Sequence, residues 1–284
     1  MWVTRVHLLD APGHLQQKAP MDLGLRGKVA LITGGSDGIG LAIGYGLAAE
    51  GVDLVLSARV EGHLAEGAKA IAAKHGVKVV PVAGDVSRAD DVARLAGEAE
   101  RVFGGVDILV NNAGTGSNEK IADAPDAKWQ HYWDLQVMAA VRLARALSPS
   151  MKKRGGGVIL HNASICAKQP LGYEPIYNVT KAALMMFSKC LSEELAPDNI
   201  RVNCINPGLV LTRDWVKTAK ELTQGTSTTW QQHLDKIAKD NAPVGRFASP
   251  EEIANLFIFL CSSQASYCTG STYGIDGGWL RSPD

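Results

Sequence analysis

The sequence predicts an α/β fold, with one doubly wound parallel sheet and helices packed on both of its faces. Short apolar runs alternate with helical patterns from about residue 28 to residue 205. Runs this short and apolar are typical of buried parallel strands joined by right-handed crossover helices. No internal repeat or linker divides the chain. We therefore expect one domain over residues 27–284, preceded by a flexible tail over residues 1–26.

The apolar runs place the individual elements. The predicted strands are 29–32, 52–56, 79–82, 108–110, 158–160 and 200–205, and the predicted helices are 39–49, 64–74, 90–103, about 129–153 and about 177–195. Residues 212–241 interrupt the alternation, because they carry helical patterning without a strand. An excursion of this length is usually functional or mobile, so we expect a helical lid over the substrate.

Composition and charge exclude several classes of function. Lys plus Arg total 29 and Asp plus Glu total 29, so the formal net charge is zero. A balanced charge indicates neither a nucleic-acid partner nor a membrane partner. The five scattered cysteines and the histidines lack metal-ligand spacing, which predicts no metal site and a reducing, cytoplasmic location. Residues 1–20 are too polar for a signal peptide, and Met21 is a candidate for the natural start.

A glycine-rich turn follows the first predicted strand and opens the first predicted helix. Gly34, Gly38 and Gly40 let the backbone turn tightly, and the helix N-terminus offers N–H groups to a pyrophosphate. A position between a strand and a helix is the context that a dinucleotide-binding fingerprint requires. We therefore expect a Rossmann-like sheet that binds a nicotinamide coenzyme. The other loop residues expected at the coenzyme are Ser36, Asp37 and Ile39.

The end of the second predicted strand bears on the choice of coenzyme. A carboxylate here would bind the adenosine ribose of NAD, but the strand ends in Ala58 and Arg59. The guanidinium of Arg59 favours the 2′-phosphate of NADP. Asp37 opposes this choice, because a carboxylate near the same pocket repels a phosphate. We expect NADP(H) as the favoured coenzyme, with NAD(H) as the alternative.

Three residues predict the chemistry. Tyr177 and Lys181 are four residues apart, which places both on one face of a helix. We expect the lysine to lower the pKa of the phenol, as a general acid and base requires. Ser164 follows the strand 158–160, and we expect its hydroxyl to stabilise charge on the same carbonyl oxygen. The prediction is an oxidoreductase that interconverts a secondary alcohol and a ketone by hydride transfer.

With these motifs the chain resembles a short-chain dehydrogenase/reductase from about Lys28 to Trp279. The matching motifs, in chain order, are Thr33-Gly34-x-x-x-Gly38-x-Gly40, Asp85-Val86, Asn111-Asn112-Ala113-Gly114, Ser164, Tyr177-x-x-x-Lys181, Asn206-Pro207-Gly208 with Thr212, and Asp276-Gly277-Gly278. Their joint occurrence in this order is highly specific.

The resemblance implies a role for each motif. It implies that Asp85 and Val86 contact the adenine and that Lys181 also binds the nicotinamide ribose. The other residues it implies at the coenzyme are Asn112, Ala113, Gly114, Tyr177, Pro207, Gly208, Val210 and Thr212. It further implies a homotetramer or homodimer, with the helices of about 129–153 and 177–195 as an interface.

One position departs from the family's pattern. Family members usually carry an asparagine in the helix before the serine strand, where it is thought to hold a water that relays protons. Gln136 stands at that position here. Glutamine keeps the amide but moves it by one methylene, so Gln136 is a candidate fourth catalytic residue.

The sequence leaves the substrate open. A 3-oxoacyl-thioester reductase competes with a dehydrogenase of a small alcohol, sugar or terpenoid. A catalytically silent, cofactor-sensing protein is the alternative from another class, and the intact catalytic residues count against it. Four residues are expected to line the pocket and suggest an apolar, uncharged ligand: Gly116, Cys166, Gln169 and Tyr173. Arg213 lies close enough to the expected pocket that a substrate with a carboxylate is a second possibility.

Overall fold

Seven parallel strands form the central sheet in this computed structural model, which describes residues 21–282. They are β1 (Val29–Thr33), β2 (Asp53–Ala58), β3 (Val79–Ala83), β4 (Ile108–Asn111), β5 (Gly157–Asn162), β6 (Ile200–Pro207) and β7 (Thr272–Ile275). Their order across the sheet is β3-β2-β1-β4-β5-β6-β7. Strand order reverses between β1 and β4, and open α/β sheets bind their ligands at such a reversal. The predicted doubly wound parallel sheet is confirmed.

Nine α-helices accompany the sheet within the described residues. They are α1 (Gly38–Ala49), α2 (Glu61–His75), α3 (Ala89–Phe103), α4 (Asp126–Trp133), α5 (Ala139–Lys153), α6 (Pro175–Leu195), α7 (Arg213–Thr223), α8 (Trp230–Asn241) and α9 (Pro250–Cys261). A π-helical turn, Asp134–Met138, joins α4 to α5. The long predicted helix of about 129–153 is therefore two α-helices with a π-helical turn between them.

Each face of the sheet has its own hydrophobic core, because successive strand residues point to opposite faces. Ile32 packs on one face with side chains of α1, α2 and α9, among them Leu47 and Phe257. Leu31 packs on the other face with α3, α5 and α6, among them Leu143 and Leu191. Full burial of each such side chain stabilises the fold by about 1.5–3 kcal/mol. Both layers hold the carboxyl ends of the strands in fixed positions.

The packed part of the chain begins before the predicted boundary at Gly27. Ser263 N donates a hydrogen bond to Leu23 O at 3.0 Å, and Gln264 Nε2 donates to Asp22 O at 2.8 Å. Leu25 is only 3% exposed. These residues are held by backbone pairing and apolar burial, so the expectation of a flexible tail does not describe them. The rest of the expected tail, residues 1–20, lies outside the described residues.

The C-terminal third of the domain contains two elements that the apolar pattern did not indicate, α9 and β7. Helix α9 begins with a capping box, in which Ser249 and Glu252 satisfy each other's backbone N–H groups. Strand β7 is an edge strand of four residues with little full burial, so it carries no apolar run. The predicted helical character of residues 212–241 is confirmed by α7 and α8.

Candidate functional site

The carboxyl ends of β1, β4 and β5 are tied together by three polar residues, Thr33, Asn112 and Asn162, which we call the strand-end staple. Asn112 Nδ2 donates to Thr33 O at 2.9 Å, and Asn162 Nδ2 donates to Asn112 Oδ1 at 2.8 Å. Thr33 Oγ1 accepts from the backbone N–H groups of Asn112 and Ala113, each at 3.0 Å. The staple gives the predicted cleft residues Asn112 and Ala113 a fixed place beside the glycine-rich turn.

The glycine-rich turn between β1 and α1 has the geometry of a phosphate cradle. Gly34 and Gly38 have φ angles of +67° and +52°, in the left-handed region that favours glycine. A Cβ on Gly40 would lie 2.2 Å from Gly34 O, so no larger residue fits there. The turn then opens into the N-terminus of α1, where backbone N–H groups attract anions. This cradle fits the pyrophosphate of a dinucleotide. Ser36 lies half-buried in the turn, and Ile39 packs against the core.

Asp37 has both carboxylate oxygens engaged. Its Oδ1 accepts from Gly38 N at 2.7 Å, so Asp37 caps α1. Its Oδ2 forms an ion pair with Arg213 Nε at 2.9 Å. The guanidinium balances the charge that the sequence analysis expected to repel a phosphate. It also directs Arg213 towards the turn at the start of α1.

The residues expected at the adenine lie beyond β2 and β3. Arg59 is exposed after β2, and its charge acts on Asp85, which follows β3. Partial burial opposes ionisation of Asp85, yet hydrogen bonds from Ser87 and the charge of Arg59 hold its pKa below the ordinary value. Val86 is buried beside them. The structure thus brings the predicted residues Arg59 and Asp85 into one neighbourhood.

Ser164, Tyr177 and Lys181 meet at the end of β5 and the first turns of α6. Ser164 hydrogen-bonds with Tyr177 through its side chain. Lys181 Nζ lies 5.3 Å from the centre of the Tyr177 ring and donates to Asn162 O at 2.7 Å. The Lys181 residue is 3% exposed and Ser164 is 8% exposed. The structure therefore assembles all three predicted residues in a largely water-excluded place.

The pKa of Tyr177 differs from the sequence expectation. Burial is the largest influence and raises the pKa of the phenol, whereas the hydrogen bond from Ser164 lowers it. Burial also lowers the pKa of Lys181 to about 8. The expectation that Lys181 brings the phenol pKa towards neutrality is wrong here, because desolvation of the phenolate outweighs its neighbours. Tyr177 is consequently protonated at neutral pH.

Gln136 lies within the π-helical turn and joins two parts of the site. Its Nε2 donates to Thr115 O at 3.0 Å, and its Oε1 accepts from Thr180 Oγ1 at 3.2 Å. π-helical turns often occur at functional sites. A Cβ on Gly114 would lie 3.4 Å from Lys181 Nζ and 3.8 Å from Gln136 Cδ, so Gly114 leaves the space between them open. The amide of Gln136 and the Lys181 ammonium thus both border the space beside Gly114.

The residues expected at the nicotinamide end line the cleft beyond β6. Pro207 ends β6, and a Cβ on Gly208 would lie 2.7 Å from Asp276 Cα. Val210 is buried and forms a bridge to Ala248. Thr212 comes directly before α7, and its Cγ2 would lie 3.5 Å from a Cβ on Gly38. The start of α7 therefore approaches the glycine-rich turn from the other side of the cleft.

The expected pocket contains a carboxyl that the sequence analysis did not name. Glu174 is 7% exposed, and Cys166 Sγ donates to its Oε1 at 3.3 Å. A Cβ on Gly116 would lie 3.3 Å from Glu174 Oε2. Burial and the charge of Glu119 raise the pKa of Glu174. The four expected pocket residues are uncharged, and Glu174 adds an ionisable group beside two of them. The only sign of Glu174 in the sequence is its position, as an acidic residue directly before the helix that carries Tyr177.

The other two expected pocket residues lie near the C-terminal segment and the surface. Gln169 Oε1 accepts from Arg281 N at 3.2 Å, and Tyr173 is 51% exposed. Residues 21–282 hold no group of three or more His, Cys, Asp or Glu side chains suited to a metal ion. Over the same residues, no helix has both the length and the apolar character that crossing a bilayer requires.

Known proteins resemble this chain over most of its length. Residues 34–280 match the family model described as enoyl-(acyl carrier protein) reductase. Dehydrogenase/reductase SDR family member 4 of Oryctolagus cuniculus is 38% identical over 259 residues, which cover 89% of this chain and 94% of that relative.

Two solved structures share the fold closely. L-sorbose reductase from Gluconobacter frateurii, complexed with NADPH and L-sorbose, is 60% identical with a TM-score of 0.92 and covers 93% of this chain and 100% of its own. A 7α-hydroxysteroid dehydrogenase complexed with NADH is 32% identical with a TM-score of 0.83, covering 93% and 98%. The sheet order, the site and these similarities agree: this chain belongs to the short-chain dehydrogenase/reductase family of oxidoreductases.

Proposed function

We propose that this protein is an NADP(H)-dependent reductase of a small ketose, of which L-sorbose is the first candidate, and that the product is a hexitol. The observation that carries this proposal is the buried carboxyl of Glu174 in the pocket beside Cys166 and Gly116. A carboxylate has about four lone-pair sites, and the thiol of Cys166 and the backbone N–H of Ser117 use only some of them, so the hydroxyl groups of a sugar can donate to the others. The 60% identity to an L-sorbose reductase supports the same substrate class.

Tyr177 is the proton donor to the carbonyl oxygen. Burial keeps its phenol protonated at neutral pH, so it carries the proton that reduction of a ketone consumes. Ser164, which hydrogen-bonds with Tyr177, stabilises the negative charge that develops on the same oxygen. A bound nicotinamide would supply the hydride chemistry at the carbon. In the oxidation direction Tyr177 takes the proton back.

Lys181 and Gln136 assist the proton transfer. The Lys181 ammonium, 5.3 Å from the ring centre of Tyr177, stabilises the phenolate that remains once the proton has left. Gln136 holds the carbonyl of Thr115 and the hydroxyl of Thr180 through its amide, and this amide and the Lys181 ammonium both border the space beside Gly114. Gln136 takes the place of the family's asparagine, with its amide one methylene further from the backbone.

The coenzyme is held along the whole edge of the sheet. The glycine-rich turn and the N-terminus of α1 bind the pyrophosphate, and Asp85 and Val86 border the adenine. Arg59 binds the 2′-phosphate of NADP(H), because a guanidinium fork suits a phosphate. The ion pair with Arg213 removes the main objection to this choice, since it offsets the negative charge of Asp37. Pro207, Gly208, Val210 and Thr212 border the nicotinamide.

Glu174 also separates the substrate classes that the sequence left open. A fatty acyl thioester would place an apolar chain against a desolvated carboxyl, which costs free energy without a compensating hydrogen bond. A ketose instead presents several hydroxyl donors. The sugar alternative of the sequence analysis is therefore favoured over the 3-oxoacyl-thioester reductase and over a terpenoid dehydrogenase.

Residues 212–241 act as the lid of this pocket. Helix α7 buries only Ala219, and Trp215 packs edge-on against Phe247 with ring centres 5.2 Å apart. The ion pair of Arg213 with Asp37 connects the lid to the glycine-rich turn. A lid with so few buried residues can open for the substrate and close to exclude water from the reacting atoms.

We propose a cytoplasmic homo-oligomer, a homotetramer or homodimer. The five cysteines are free thiols, as a reducing compartment favours. Helix α6 exposes apolar side chains on its outer surface, with Val179 47% exposed and Met186 62% exposed. Pairing of the α4–α5 and α6 surfaces between copies would cover them.

The experiment that tests the proposed function is a substrate panel monitored by the absorbance of the reduced nicotinamide. The panel contains L-sorbose, other ketoses, a ketone without hydroxyl groups and a 3-oxoacyl thioester, each with NADPH and with NADH. We expect the highest kcat/KM for a ketose with NADPH. Preference for the thioester or the plain ketone would overturn the substrate assignment. Coenzyme binding without turnover of any carbonyl would refute the proposed reductase and favour the catalytically silent, cofactor-sensing protein.

A further inference from the structure

Glu119 forms a buried cluster of contacts between the loop after β4 and the start of α6. Its side chain is only 6% exposed. Glu119 Oε1 accepts from Ser117 Oγ at 2.9 Å and from Ile176 N at 3.1 Å, and Glu119 Oε2 pairs with Lys128 Nζ at 2.8 Å. Glu119 N donates to Tyr173 O at 3.2 Å. One residue thus joins the loop, α4 and both sides of the first turn of α6.

Helix α6 has no side-chain cap of its own. Its N-cap residue, Glu174, makes no side-chain capping hydrogen bond, and its first turn contains no acidic residue. The first N–H groups of a helix have no partner inside the helix and need one outside it. Glu119 accepts from Ile176 N, and Ser117 Oγ accepts from Tyr177 N at 3.3 Å. The cap of the catalytic helix therefore comes from residues 57 and 60 positions earlier in the chain.

The capped turn carries the two groups on which the proposed reaction depends. Tyr177 is itself one of the capped residues, and Glu174 directly precedes the helix. The loop that supplies the cap also contains Gly116, whose carbonyl accepts from Tyr132 Oη at 2.7 Å. A carboxylate at this helix end is stabilised by the helix dipole as well. The position of Tyr177 relative to the coenzyme cleft is thus set through Glu119 and Ser117.

We propose that Glu119 is a positioning residue for the reaction: by capping α6 together with Ser117, it holds Tyr177 and Glu174 in place against the coenzyme side of the cleft. In this proposal Glu119 acts through Tyr177 and Glu174 and not by direct contact with the reacting atoms. The inference rests on the proposed function for the identity of the reacting groups. The charge of Glu119 also raises the pKa of Glu174, in keeping with the closeness of the two carboxyls.

Glu119→Ala and Glu119→Gln test the proposal in the full-length protein. The alanine variant loses both acceptor oxygens, whereas the glutamine variant keeps an acceptor for Ile176 N and Ser117 Oγ. We expect Glu119→Ala to lower kcat about 10- to 100-fold, the loss that misplaced reacting groups bring, with the coenzyme KM changed by less than about threefold. Glu119→Gln should recover most of kcat. Glu98→Ala, which removes a half-buried carboxylate paired with Arg101 on α3, is the matched control.

Hydrogen exchange in the coenzyme-free protein supplies a readout apart from activity. Amide exchange at Ile176 and Tyr177 should be faster in Glu119→Ala than in the wild type, and nearly unchanged in Glu119→Gln and Glu98→Ala. If Glu119→Ala does not fold, Ser117→Ala removes the acceptor of Tyr177 N and should give the same pair of effects. Unchanged exchange, a kcat within about threefold of wild type, or a glutamine variant as impaired as the alanine variant would overturn the proposal.

The test of Glu119 is distinct from the test of the proposed function, because each variant is compared with the wild-type enzyme on the same substrate. A wild-type enzyme that ignores ketoses but reduces another carbonyl refutes the ketose assignment, and the variants are then compared on the accepted carbonyl. The exchange measurement needs no substrate.

Discussion

The substitution Glu174→Gln tests whether the carboxyl of Glu174 binds a sugar substrate or only supports the fold. Glutamine has nearly the same shape, and its carbonyl oxygen still accepts from Cys166 Sγ, so the fold around the pocket should be kept. The variant loses the charge that strengthens a hydrogen bond to a substrate hydroxyl. Hydrogen bonds to charged groups contribute about 1.5–3 kcal/mol and neutral ones about 0.5–1.5 kcal/mol, so removal of the charge should cost about 1–1.5 kcal/mol, a loss of about 5- to 13-fold in kcat/KM.

The assay compares kcat/KM of wild type and Glu174→Gln for L-sorbose and for a ketone without hydroxyl groups. The loss should appear with the sugar and be absent with the plain ketone, because only the sugar donates to the carboxylate. Glu98→Gln, on the surface of α3, is the control. An equal loss on both ketones, or none on L-sorbose, would refute the assignment of Glu174 to substrate recognition.

The pH dependence of stability gives a second readout of the same substitution. Because burial raises the pKa of Glu174 above its ordinary value of 4.5, its protonated form stabilises the fold at low pH. That contribution is lost as the pH rises through the raised pKa. Glutamine stays neutral at every pH, so Glu174→Gln should unfold at a higher temperature than wild type at neutral pH and at the same temperature in acid. Melting curves that differ equally at both pH values would contradict this reasoning.

Three further predictions concern the proton, the coenzyme and the lid. Tyr177→Phe should bind coenzyme normally and lose about two to four orders of magnitude in kcat, and a variant that keeps more than about a tenth of wild-type kcat would exclude Tyr177 as the proton donor. Arg59→Asp should shift the ratio of kcat/KM towards NADH, whereas a wild type that already prefers NADH would show that Asp37 decides the choice. Residues 212–241 should exchange amide hydrogens quickly in the free protein and slowly with coenzyme and a substrate analogue, and Arg213→Ala should speed exchange in α7. High protection without ligands would instead indicate permanent packing against another subunit.

The sequence predicts the sheet and the grouping of Ser164, Tyr177 and Lys181 because both depend on local patterns. A buried parallel strand is an apolar run, and a cluster of glycines between a strand and a helix is the local context of a dinucleotide-binding turn. Tyr177 and Lys181 lie one helical turn apart, so their proximity is fixed by helix geometry alone. Ser164 could be added because it lies shortly after a predicted strand, two residues beyond the end of β5.

The missed features depend on distant contacts and on burial. Glu119 caps a helix that begins more than fifty residues later, and no local pattern connects them. The partner of Asp37 is Arg213, from the far side of the cleft. The pKa of Tyr177 was misjudged because the charge of Lys181 can be read from spacing, whereas the larger effect of desolvation requires the fold. Glu174 was overlooked for the same reason, since acidic residues before a helix are ordinarily solvated.

The strand-end staple has a consequence for re-engineering the enzyme. Thr33, Asn112 and Asn162 join the ends of three strands by hydrogen bonds of 3.0 Å or less, so the pyrophosphate turn and the catalytic end form one rigid unit. Arg59 follows β2, a neighbouring strand whose end is not among those three. A backbone hydrogen bond from Gly35 N to Ser57 O at 3.0 Å still joins the end of β2 to the glycine-rich turn, but Arg59 lies beyond that bond. With the proposed roles of Arg59 in coenzyme choice and of Glu174 in substrate choice, substitutions at these two positions on different elements should have additive effects.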